Sequence, residues 1–147
     1  MSKQKILNNI KKNISKKTPL KDTEFLPVTF ENPLNEFIKN FKASGGEISQ
    51  NKKGVVLQGV FGVSENGAVL LKETDERKKY TFYEEITILL NKKDIVNNMH
   101  EAYKKLTINT FALFITGPSK TADIEQSLVI GAHGAKRVYI CFEDKLS

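Results

Sequence analysis

Apolar and polar positions alternate along this chain in blocks that change period several times. Ile6, Leu7, Ile10 and Ile14 form one stripe ringed by lysines, which predicts an amphipathic helix within residues 1–17. Three prolines, Pro19, Pro27 and Pro33, punctuate residues 18–33 and predict an extended linker. Leu34, Phe37, Ile38 and Phe41 then recur at helical spacing, and Gly45-Gly46 ends that second helix. After a polar stretch from Ser49 to Lys53, Val55–Leu57 and Ala68–Leu71 read as two strands around Asn66-Gly67, the strongest short-range hairpin signal. Lys72 to Lys79 is a charged loop, and Ile86 to Leu90 reads as a buried strand. Asp94 is placed to cap a helix whose inward positions are Ile95, Met99, Ala102, Tyr103 and Leu106, leaving His100 at its boundary.

The C-terminal third carries the densest chemistry. Thr110 to Ile115 is an apolar strand that stops at Gly117-Pro118, a pair unable to continue a central strand. Ser119 and Thr121 offer capping hydroxyls, and Asp123 and Glu125 would occupy a first helical turn, where carboxylates suit the helix dipole. Ile124, Leu128 and Ala132 give that helix a core face, Gly134 stops it, and Arg137 to Phe142 forms a last strand. The expected unit is strand–loop–helix–strand, with its polar loop where open α/β sheets bind ligands.

Composition narrows the class. A length of 147 residues suits one domain with a real core, here expected over residues 34–147. No apolar run approaches membrane-spanning length and the N-terminus lacks a signal-peptide core, so a cytoplasmic protein is expected. The net charge is +6, yet residues 1–21 hold seven lysines and no acid, which leaves the body at −1. A nucleic-acid partner is therefore not expected. Cys141 is the only cysteine and, between Ile140 and Phe142, reads as a buried structural thiol. With His100 and His133 it forms no metal-ligand spacing, so no metal and no cofactor are expected in this chain.

The run Gly117-Pro118-Ser119-Lys120-Thr121-Ala122-Asp123-Ile124-Glu125, followed by Gly131-Ala132-His133-Gly134, resembles the signature of the LUD-domain family, and the resemblance extends from Val55 to Asp144. It implies a sugar-phosphate isomerase/CoA-transferase-like fold: a mixed, mostly parallel α/β sheet flanked by helices. Relatives carry further strand and helix units between the Gly45-Gly46 helix end and the Val55–Leu57 strand, so this chain is expected to be a truncated version. The resemblance also implies a part in oxidising L-lactate to pyruvate beside companion proteins that hold iron–sulfur clusters. On that reading this chain is an accessory subunit and no catalyst by itself.

Candidate residues follow from both lines. Gly117-Pro118-Ser119-Lys120-Thr121 departs from a phosphate-binding loop because Ser119 stands where a glycine must precede the lysine. Free N–H groups at the start of the expected helix, with Lys120 nearby, still suit a small carboxylate or a nucleotide. The expected ligand set is Gly117, Ser119, Lys120, Thr121, Asp123, Glu125, His133, Gly134 and Arg137. His133 is a catalytic candidate if Asp123 or Glu125 orients it as a base, against the plainer role of a hydrogen-bonding residue at a helix end. Ser64-Glu65-Asn66-Gly67 resembles the catalytic-glutamate signature of certain CoA-transferases, which would make Glu65 a nucleophile. A third alternative is an interaction module that uses the lysine-rich helix, and an uncovered sheet edge invites a second copy of the chain.

Overall fold

A computed structural model describes residues 3–12, 26–72, 82–106, 112–122, 128–130 and 134–143. Among the described residues three helices, α1 (Lys3–Lys12), α2 (Pro33–Ala43) and α3 (Met99–Lys105), accompany nine strands. The strands are β1 (Glu47–Ile48), β2 (Val55–Val63), β3 (Val69–Leu71), β4 (Glu85–Asn91), β5 (Ile95–Val96), β6 (Leu113–Ile115), β7 (Lys120–Ala122), β8 (Leu128–Ile130) and β9 (Arg137–Glu143). The main sheet runs β1-β9-β4-β2-β3-β6, with β5 also paired to β2. Its β1, β9, β4 and β2 are mutually parallel, whereas β3 pairs antiparallel with both β2 and β6. The mixed, mostly parallel α/β sheet expected from the sequence is thus present.

Strand β2 turns this sheet into a two-sided core. A register irregularity falls between Gly59 and Phe61 in its pairing with β3. An extra residue at such a point moves later side chains to the opposite face. Leu57 accordingly joins Phe37, Phe41, Ile86, Ile88, Leu90, Val138 and Ile140 in the cluster beneath α2, while Phe61 and Val63 join Val96 and Ala102 beside α3. Strand β3 alternates between the two, with Val69 and Leu71 on the α2 side and Leu70 on the other.

Helix α2 starts where its sequence says it should. Asn32 accepts from the Asn35 N–H, Pro33 takes the first turn, and Phe37 and Phe41 stack on the buried face with ring centroids 6.0 Å apart. The β2–β3 hairpin also forms as expected, with Gly67 at φ +70°. A methyl group on Gly67 would lie 2.4 Å from the Phe41 nitrogen, so this turn needs glycine for close approach as well as for its dihedral.

Three expectations are corrected. The helix expected after Thr121 does not run through its described residues: Lys120–Ala122 and Leu128–Ile130 pair as a two-stranded antiparallel ribbon, Lys120 opposite Ile130, while 123–127 and 131–133 lie outside the described residues. The i, i+4, i+8 reading rested on Ile124, Leu128 and Ala132, but Leu128-Val129-Ile130 is a continuous apolar run ending in two β-branched residues, which suits a strand better. Leu128–Ile130 is thus a strand where the strand–loop–helix–strand reading puts the middle of a helix. The second correction concerns α3, which begins at Asn98 and not at Asp94. Asp94 closes a turn onto Asn91, and Ile95-Val96 pairs with Gly62-Val63 as β5, because an open length of β2 outcompetes a longer helix. The third is Tyr103, expected inward on α3, which is 61% exposed. Ile6 and Leu7 on α1 are also substantially exposed, while residues 13–17 of the expected helix and 18–25 of the linker lie outside the described residues. No helix among the described residues is long and apolar enough to cross a membrane.

Candidate functional site

Strand β6 delivers Thr116 and Gly117 to a loop that returns over the amino ends of β4 and β9. Gly117 adopts φ +79°, and a methyl group there would meet the Ser44 carbonyl oxygen at 2.8 Å, so the loop packs directly on the last turn of α2. The Ser119 N–H donates to the Ala135 carbonyl (2.9 Å), which ties the loop to the segment entering β9. Gly134 lies against Ser119, where an added methyl would stand 3.2 Å from its Cβ. Gly117, Ser119 and Gly134 are thereby brought together, as the motif reading expects.

These three line a cavity of about 240 Å³. Its walls are Ile86, Leu113, Phe114, Ile115, Ala135 and Val138, and Thr116 completes the rim. Ile86 and Val138 are the second residues of β4 and β9, so the cavity opens at the amino ends of these parallel strands and not at the carboxyl ends where the sheet type usually binds ligands. The cause is β6: it is the far edge of the sheet with Leu113 and Ile115 on the α2 side, and its exit loop returns to the C-terminal end of α2.

The charged members of the expected set are used differently. Lys120 lies over the C-terminal turn of α2, where a methyl group on Gly45 would stand 3.0 Å from its Nζ. A cation there complements the helix dipole and the last carbonyls. Arg137 pairs with Glu85, its cross-strand neighbour in the β4–β9 register. Beside it Lys136 pairs with Glu84, whose carboxyl is held below its ordinary value by the hydrogen bond from Lys136 and by that ammonium's charge, with burial opposing weakly. No cation is among the described residues that line the cavity. Thr121 belongs to β7, while Asp123, Glu125 and His133 lie outside the described residues.

Glu65 stands apart from this cavity, in the β2–β3 turn. Its Oε2 accepts from the Met99 N–H (2.9 Å) at the start of α3. The same corner is dense in hydrogen bonds. Asn98 Oδ1 accepts from the Glu101 N–H (2.9 Å), the Ser64 hydroxyl donates to the Pro33 carbonyl (2.7 Å), and Asn40 Nδ2 donates to the Ser64 carbonyl (2.7 Å). Two further bonds hold the preceding chain: the Phe30 N–H donates to Asn97 Oδ1 (3.0 Å) and Asn98 Nδ2 donates to the Val28 carbonyl (2.6 Å). Cys141 is buried, as expected, with its Sγ 3.7 Å from the Gln50 carbonyl. Among the described residues no group of His, Cys, Asp or Glu is arranged to hold a metal ion.

Sequence reasoning missed the apolar walls. Ile86 and Val138 look like any core strand residue, and nothing in their spacing marks a cavity.

The LUD domain profile matches residues 51–142, more than half of the chain and all of the cavity lining. The chain belongs to the LUD domain family. Over 89 residues it is 36% identical to Lactate utilization protein C of Anoxybacillus flavithermus, covering 56% of this chain and 40% of that protein. The uncharacterized protein YkgG of Escherichia coli is 34% identical over 109 residues, 67% of this chain and 47% of that one. A shorter match, 61% over 33 residues, joins it to Lactate utilization protein C of Shouchella clausii, covering 22% of this chain and 14% of that protein. This LUD chain thus spans less than half the length of each of these relatives. Among solved structures, a DUF162 family protein from Deinococcus radiodurans superposes with a TM-score of 0.58 at 10% identity, covering 79% of this chain and 99% of that one, which establishes a shared fold.

Proposed function

We propose that this LUD-domain chain is a non-redox accessory subunit of a lactate-utilization system, in which companion proteins hold the iron–sulfur clusters that oxidise L-lactate to pyruvate. The observation that carries the reading is the 36% identity to a Lactate utilization protein C across 89 residues, supported by the family match over 51–142. The seat for a small ligand in this reading is the cavity bounded by Gly117, Ser119 and Gly134, since it is built from the family's own motif. The subunit works in the cytoplasm beside its companions and contributes assembly or ligand holding, not electron transfer. Deleting its gene from a strain that carries the companions is expected to abolish growth on L-lactate as sole carbon source, with rescue by the full chain. Unchanged growth of the deletion strain would refute the proposal.

A further inference from the structure

We infer that the cavity beneath the Gly117–Ser119 loop takes the uncharged ring of a small molecule, whose polar end stays at the Thr116–Ser119 rim. The inference uses the ligand seat named above but not the lactate pathway. Size is the first argument. A cavity of roughly 150 Å³ lined by Leu, Ile and Phe already admits benzene, and this one measures about 240 Å³. Lining is the second. Five of its walls are hydrocarbon side chains, from Ile86 on β4, Val138 on β9, Ala135 before it, and Leu113 and Ile115 on β6, while the Phe114 ring between them packs on Phe61 at the other face of the sheet. Such a surface gains free energy by covering apolar area and loses it by enclosing an unpaired charge.

The third argument is where the cations are. Lys120 is turned to the end of α2 and Arg137 to Glu85, so a carboxylate inside the cavity would find no counter-charge among the described residues that line it. Free L-lactate, a small anion with one methyl group, fits that interior poorly. The rim differs. Thr116 is exposed, Ser119 is half-buried, and both carry hydroxyls able to meet a polar substituent. Two glycines, Gly117 and Gly134, leave the mouth free of side chains. Apolar walls with a few polar groups at the entrance are the usual make-up of a small-molecule pocket.

The test is methyl-detected NMR of the full chain, titrated separately with benzyl alcohol and with L-lactate. Benzyl alcohol is expected to shift the methyl signals of Ile86, Leu113, Ile115 and Val138 saturably, with a Kd on the order of 1 mM for so small a fragment. L-lactate is expected to leave the same signals in place. Ile115→Phe, at a half-buried position on an edge strand, fills the cavity and should weaken benzyl alcohol at least ten-fold, and Ala135→Leu is the second filling variant. Absence of shifts with benzyl alcohol, saturable shifts with L-lactate, or undiminished shifts in a folded filling variant would each overturn the inference. The two wild-type titrations decide it even where a variant does not fold. Growth on lactate leaves these titrations untouched, so failure of the accessory-subunit reading and failure of this one are told apart.

Discussion

Asn98 joins the start of α3 to the chain that precedes α2, and its removal tests both connections at once. It is 2% exposed and makes two bonds of different kinds. Its Oδ1 caps α3 through the Glu101 N–H, and its Nδ2 holds the Val28 carbonyl at 2.6 Å. Replacing an N-cap asparagine by alanine costs about 1 kcal/mol. Losing the second bond adds roughly 1 kcal/mol, with a further penalty if the Val28 carbonyl is left without a partner. Asn98→Ala should therefore destabilise the protein by about 2–3 kcal/mol. For a domain of this size that corresponds to a melting temperature lower by very roughly 4–12 °C. Asn98→Ser separates the terms, because serine caps almost as well but cannot reach Val28, and should lose only about 1–1.5 kcal/mol. Urea denaturation of the three proteins measures both values. Limited proteolysis should in addition cut near residues 26–30 faster in both variants, since both release that segment. Equal stabilities of the serine and alanine variants would refute the cap, and unchanged cleavage near Val28 would refute the tether.

Other consequences are simpler to state. Phe41→Ala empties a fully buried site that Phe37 and Gly46 pack against, and should cost about 3–5 kcal/mol by denaturant titration. Glu65→Gln keeps an oxygen for the Met99 N–H and should stay within about 0.5 kcal/mol of wild type, while Glu65→Ala loses about 1 kcal/mol. Incubation of the wild-type chain with acyl-CoA donors should give no covalent adduct at Glu65 by mass spectrometry; an adduct that vanishes in Glu65→Gln would revive the CoA-transferase alternative. The Glu84 carboxyl has a folded pKa below its unfolded value because of Lys136, so its contribution is present above the unfolded carboxylate range and is lost as pH falls through the folded value. Lys136→Ala should accordingly differ from wild type in stability near neutral pH, and the difference should shrink in acid.

Much of the architecture was legible because the signals were local. Phe37 and Phe41 at helical spacing, Asn66-Gly67 between apolar runs, and the unbroken Ile86–Leu90 and Arg137–Phe142 segments each dictate their own element. What was illegible depends on neighbours distant in sequence. Ile95-Val96 becomes a strand only because Gly62-Val63 offers an edge, and Leu128–Ile130 pairs with Lys120–Ala122 although Ile124, Leu128 and Ala132 fall at helical spacing. The site was half legible for the same reason. Gly117, Ser119 and Gly134 advertise themselves by type, whereas Lys120 and Arg137 are read correctly only once the end of α2 and Glu85 stand beside them.

The shortness of the chain bears on this site less than the length comparison suggests. The resemblance puts the additional units of longer relatives between α2 and β2. In that segment this chain has the two-residue strand β1, at the outer edge of the sheet beyond β9. The cavity is built from β4, β6, the Gly117 loop and the entry to β9, all between residues 86 and 138 and all within the span matched to the family. A deletion at the β1 edge, if the resemblance holds there, would remove neighbours from β9 on the side away from β4 and would leave every described wall of the cavity standing. Grafting the longer segment of a relative in place of residues 47–54 should therefore leave the benzyl alcohol titration of the Ile86 and Val138 methyls unchanged while altering what the β1 edge can pair with. A shift in that titration would show that the cavity depends on the far edge after all, through the register of β9.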